Sequence, residues 1–153
     1  MLGVWPGTGS CARLQRVMLS VAAVREKGFS LVPVGDVPVP TVKFNGNGDS
    51  EAVVPLDRFL KALHKNLVDE NANAVAVDLG DLYFMNSSCL KALVSWIYKV
   101  NTTGRPYQIR LQMNRRQPWQ RRSLEPLQRL APAVVMLEEL AGKGESLAAS
   151  LGR

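Results

Sequence analysis

Ala74-Val75-Ala76-Val77-Asp78-Leu79-Gly80-Asp81-Leu82-Tyr83-Phe84-Met85-Asn86-Ser87-Ser88-Cys89-Leu90 is the stretch that decides the fold. Its first six residues are apolar except for Asp78, the pattern of a central strand covered on both faces. A short connection then reaches a polar Asn-Ser-Ser triplet. Beyond it Leu90, Leu93, Val94 and Ile97 recur at helical spacing until Thr102-Thr103-Gly104 ends the run. A buried strand therefore feeds a helix through a polar cap, and Asn86 or Ser87 is of the type that satisfies the free N–H groups of a first helical turn.

Working outward, Pro55 opens a second helical pattern in which Leu56, Phe59, Leu60, Leu63 and Leu67 share one face, and Asn71 to Asn73 supply a stop. Upstream, Phe29 to Val34 and Thr41 to Phe44 read as strands. Pro38 and Pro40 separate them, Asn45-Gly46 and Asn47-Gly48 close them as turns, and the prolines place the first strand near a sheet edge. Downstream, Tyr107, Ile109, Leu111 and Met113 alternate with polar residues as a strand does. A third helix starts near Pro118 with Leu124, Leu127 and Leu130 inward; Pro126 in its interior predicts a kink or two short helices. Val134 to Leu137 reads as a last strand. The order is β-β-α-β-α-β-α-β, which indicates an α/β sheet with right-handed crossovers.

The chain has 153 residues, 46% hydrophobic and 21% charged, enough for one domain with its own core. The expected division is a flexible or helical extension over 1–28, a domain over 29–140 and a tail over 141–153. Val17 to Val24 is too short to cross a bilayer and lacks a clear cleavage site, so neither a membrane span nor a secreted protein is expected. It reads as an amphipathic extension or as the product of an upstream start codon, with Met18 as the alternative start. Cys11 and Cys89 belong to no disulfide framework and no metal-ligand cluster, which favours a reducing, cytoplasmic setting. No cofactor is implied.

The segment from Asp78 to Leu90 resembles the signature of STAS domains, the family of anti-sigma-factor antagonists and transporter tails. Asp78-Leu79, Leu82, Phe84, Met85, Ser87 and Ser88 carry the match, and the element order extends it from about Phe29 to Leu140. Asn86 stands where the family usually has Asp, and Cys89 where it usually has Gly. The resemblance implies a four- to five-stranded mixed sheet with helices packed mainly on one side. It implies a bacterial, non-enzymatic switch in which the first serine, here Ser87, is phosphorylated. The partners implied are an anti-sigma or other regulatory protein kinase of the GHKL type and a PP2C-type phosphatase; a homodimer is compatible with it. Ser88 is the second choice of acceptor. Asn86, Ser87, Ser88, Cys89 and Lys91 form the expected docking surface, Cys89 adding a side chain where glycine leaves the surface bare.

Two other classes compete. The net charge of +6 is concentrated in residues 99–129, where eight bases face Glu125 alone. Arg115, Arg116, Trp119, Arg121 and Arg122 form a candidate anion or partner patch, and the Arg-rich segment 105–122 suggests a nucleic-acid or nucleotide-binding module. No recognised nucleic-acid motif accompanies it. The plainer reading is a solvated helix start with Trp119 packed as an anchor. For an enzyme, Cys89 at a helix start and His64, the single histidine, are the only nucleophile and base on offer. Nothing in the spacing brings them together, and the expectation is a surface histidine and an incidental cysteine.

Overall fold

The computed structural model describes residues 17–34 and 39–140. The expectations for the first sixteen residues, Cys11 among them, and for the 141–153 tail lie outside the described residues. The sheet has six strands in sequence order: β1 Val24–Glu26, β2 Phe29–Val34, β3 Thr41–Gly48, β4 Ala74–Met85, β5 Gln108–Met113 and β6 Val135–Glu139. The first two pairings are antiparallel and the remaining three are parallel. A 3-10 turn at Ser50–Ala52 leads into helix α1, Val53–Asp69; α2 spans Ser87–Asn101 and α3 Pro118–Leu130.

All of the larger buried side chains belong to one cluster. Phe29 and Leu31, Val42 and Phe44, Val75, Val77 and Leu79, and Ile109, Leu111 and Met113 enter it from alternate positions of β2 to β5, where they meet the apolar stripes of the helices. The other sheet face carries Lys43, Asp78, Arg110, Gln112 and Glu138, with Arg110 Nη2 2.7 Å from Glu138 Oε2. The described helices thus lie on one side of a mixed sheet, as the family resemblance implies. Asp78 marks the difference: β4 is central, yet among the described residues no helix packs on the side to which Asp78 alternates.

Four details depart from the sequence reading. The sheet has six strands, not four or five, because Val24–Glu26, expected within an extension, pairs with Phe29–Leu31 across the Lys27-Gly28 turn. Ahead of it residues 17–23 form no helix. Buried Asn66 on α1 pins them, accepting from the Ser20 N–H at 2.6 Å and donating to the Met18 carbonyl at 3.1 Å. With β1 outside it, β2 is not the edge strand expected from the prolines, although beyond Leu31, where Pro33 lies, it has only β3 as a partner.

The Asn-Gly pairs do not turn the chain but continue β3 to Gly48. Gly46 has φ +93°, and a Cβ there would strike the Gly28 carbonyl, which accepts the Asn47 N–H at 2.8 Å. Register shifts between Lys43 and Asn45 and between Gly46 and Asn47 absorb the irregularity as bulges. Finally, α3 is continuous through Pro126. Pro126 and Arg122 are both exposed, so the carbonyl that loses its helical donor faces water.

Candidate functional site

The site is set by a difference in strand length. β4 has twelve residues and β5 has six, and their pairing ends at Asp78 opposite Gln112. From Leu79 onward β4 keeps only β3 as a neighbour, and the register shift opposite Lys43 and Asn45 leaves carbonyls without ladder partners. Side chains from the β5–α3 region supply them. Gln120, 0% exposed, donates from Nε2 to the Leu79 carbonyl at 2.8 Å and the Leu82 carbonyl at 2.9 Å, while its Oε1 accepts the Asn114 N–H at 2.7 Å. Asn114 Nδ2 donates to the Gly80 carbonyl at 2.8 Å. Sequence reading missed Gln120, since nothing local distinguishes a glutamine aimed at a distant bulge from one aimed at solvent.

The strand so held delivers the polar triplet. The Asn86 N–H bonds the Gly48 carbonyl at 2.8 Å, tying the end of β4 to the end of β3. Asn86 has extended backbone (φ −78°, ψ 172°), and its side chain accepts the Cys89 N–H at 2.9 Å, so it is the N-cap of α2. Ser87 and Ser88 follow as the first two helical residues, both exposed, with Lys91 exposed one turn on. Before them Tyr83 and Phe84 are 55% and 48% exposed. Two adjacent aromatics are uncovered because β5 has already ended, and the mismatch between a long apolar run and a six-residue neighbour is the signal that could have revealed them.

No family model matches the sequence, and no curated protein matches it. Among solved structures, the chain is similar to an anti-sigma factor antagonist from Mycobacterium paratuberculosis, at TM-score 0.51 and 18% identity over 82% of this chain and 96% of that one. The fold is that of an anti-sigma factor antagonist. It is similar also to a chain from the crystal structure of the diguanylate cyclase SiaD in complex with its activator SiaC from Pseudomonas aeruginosa, at TM-score 0.59 and 16% identity over 78% and 99% of the two chains.

Within this antagonist-like fold Cys89 requires a correction. Its side chain is not on the expected docking surface but 0% exposed, directed inward from α2. Sγ lies 3.6 Å from the Asp49 carbonyl, and a Cβ on Gly48 would be 3.5 Å from it. The residue that replaces the usual glycine therefore fills space beneath the helix start and leaves the surface bare. Burial pushes the thiol pKa up, and Asp49 adds to the shift, the opposite of what an attacking thiolate needs.

His64 is not paired with it. Its Nδ1 lies 2.7 Å from the Tyr107 hydroxyl, which also receives the Trp96 indole N–H at 2.8 Å. Trp96 can only donate, so the hydroxyl keeps its own proton for a bond to His64 Nδ1 whenever the ring carries its proton on Nε2. His64 is thus half-buried in the α1–α2 seam, not a surface histidine, and burial followed by the charge of Lys99 holds its pKa below the ordinary value.

The Arg-rich segment is also spent differently from its appearance in sequence. Arg121 bridges Glu139 at 2.8 Å and Glu125 at 3.2 Å, which raises its pKa. Arg110 is committed to Glu138 on the open sheet face. Trp119 is partly buried against the core with its Nε1 enclosed, so it is an anchor and offers no stacking platform. Arg115, Arg116 and Arg122 are exposed, Arg115 and Arg122 lining a groove of about 290 Å³ that also holds Glu125 and Glu139. Among the described residues no helix is long and apolar enough to cross a membrane.

Proposed function

We propose that this protein is a regulatory switch that docks through the start of α2 and is controlled by a phosphate on Ser87. The single observation that carries the reading is the position of Ser87: exposed, on the first turn of a capped helix, and preceded along the chain by two uncovered aromatic residues. Aromatic side chains are enriched where proteins recognise one another, and a helix start accepts negative charge. The names of the similar structures, an anti-sigma factor antagonist and a cyclase in complex with its activator, both point to regulation by protein partners. No catalytic step is assigned to the chain.

In this reading a partner kinase brings a nucleoside triphosphate. The Ser87 Oγ–phosphorus bond forms as the β,γ-bridging bond breaks, the diphosphate leaves with the kinase, and the hydroxyl proton passes to the kinase's base. A phosphatase returns the hydroxyl by attack of water. The phosphate adds about −1.5 to −2 charges to the docking face, and the cost of taking that charge out of water under a partner releases it. The partners in this reading are an anti-sigma or other regulatory protein kinase of the GHKL type and a PP2C-type phosphatase, in the cytoplasm.

Intact mass of protein from its native host tests the acceptor. The expected result is the mass of one phosphate, lost on phosphatase treatment and absent from Ser87→Ala. Ser87→Asp should lose the partner that co-purifies with the wild type, and Ser87→Ala should keep it; equal retention by both overturns the switch. The exposed Arg115 and Arg122 leave a nucleic-acid reading as the second choice, weakened by the pairing of Arg121 and the packing of Trp119. It predicts oligonucleotide binding that falls steeply with salt.

A further inference from the structure

Resting on Ser87 as the acceptor, a second residue of the same turn acquires a role. Asn86 uses its side chain on the Cys89 N–H and its carbonyl on the Leu90 N–H. The N–H groups of Ser87 and Ser88, like those of any first helical turn, have no acceptor inside the helix. Lys91 lies four residues after Ser87, hence above it on the same face of α2, and both are exposed. Lys61 is paired with Asp57 and Lys65 with Asp69, whereas Lys91, like Lys27, Lys43 and Lys99, has no ion pair among the described residues.

The surroundings are otherwise acidic. Asp49, whose carbonyl touches the Cys89 sulfur, is exposed, as is Glu51 beside it, and neither has an ion pair among the described residues. A phosphate at position 87 is repelled by these two carboxylates and attracted by the Lys91 ammonium group.

We propose that Lys91 is the built-in counter-ion of phosphorylated Ser87, folding over the first turn of α2 to hold the phosphate against the helix start. The modification then changes the docking face twice: it adds a dianion and withdraws the exposed cation that an unmodified chain offers its partner. The dianion is held more tightly than the monoanion, so the clamp lowers the second pKa of the phosphate.

The test uses the full chain with phosphoserine installed at position 87 by an expanded genetic code, its phosphate titrated by 31P NMR. Lys91→Met should raise the second pKa of the phosphate by about 0.4 unit relative to the parent, the scale of a helix i,i+4 ion pair, and Lys91→Arg should bring it back. Lys99→Met, which removes the same charge from the far end of α2, should leave it in place. No shift in Lys91→Met, an equal shift in Lys99→Met, or equal shifts in Lys91→Met and Lys91→Arg overturns the clamp. Circular dichroism of the unmodified variants checks that each folds. Because the phosphate is installed, a negative result removes the clamp and leaves the acceptor standing. Native protein without phosphate does the reverse.

Discussion

The β4–α2 and β5–α3 junctions are built alike and used differently. Each runs from a parallel strand through a polar connection into a helix on the covered face of the sheet. At the β4–α2 junction one residue, Asn86, settles the cap, the thiol of Cys89 turns inward, and two serines and a lysine remain unengaged by ion pairs. At the β5–α3 junction Gln117 makes no side-chain cap. There Asn114, Gln120 and Arg121 are drawn into contacts that hold the bulge of β4 and the edge strand β6. The more highly charged junction is thus the more structural one. Density of functional groups in sequence is a poor guide to function; what counts is which of them the fold leaves unsatisfied.

The sharpest way to break this contrast is Gln120→Ala. It removes three buried hydrogen bonds and strands two carbonyls of β4, so denaturant unfolding should show a loss of about 3 kcal/mol. A loss below about 1 kcal/mol would mean that water replaces the amide and that the β5–α3 junction is not a support. Next, Asn86→Ala should cost about 1 kcal/mol by removing the α2 cap, and Asn86→Asp should recover most of it, both read in the same assay.

Cys89 sharpens the comparison through pH and reactivity. Its folded pKa lies above the unfolded value of 9.0, so the stability it contributes is fully present below pH 9 and is lost as the pH rises beyond it. Stability measured from pH 8 upward should fall less steeply in Cys89→Ala. Iodoacetamide at neutral pH should label the native thiol far more slowly than the denatured one, and equal rates would place the sulfur at the surface. The smallest effect belongs to Arg121→Gln, whose exposed ion pairs are screened by solvent. Its thermal midpoint should remain within experimental scatter, and a clear drop would show that the bridge to β6 is more than superficial.

Much of the architecture is legible in short-range pattern. The 3.6-residue stripe from Leu56 to Leu67, the alternation from Tyr107 to Met113 and the polar triplet ahead of Leu90 each specify their element with neighbours a few positions away. Capping is equally local, since Asn86 serves a donor three residues on. These signals were enough to order the elements from β2 to β6 and to place Ser87 at a helix start. They failed at Asn45-Gly46 and Asn47-Gly48, where glycine serves a close approach by Gly28 that only pairing with a distant strand creates.

What the tertiary structure alone decided is exposure. Tyr83 and Phe84 are uncovered because β5 ends early, Cys89 is hidden because the β3 end and Asp49 lie beneath it, and Gln120 is buried because a bulge thirty-eight residues upstream of it at Leu82 needs donors. Arg121 is occupied because β6 brings Glu139 beside it. Hydrophobic period and cap chemistry are properties of adjacent residues, so a one-dimensional chain carries them in full. Whether a given group meets water, a carboxylate or a carbonyl depends on strands and helices that arrive from elsewhere in the chain, and that is settled only when the sheet closes over its helices.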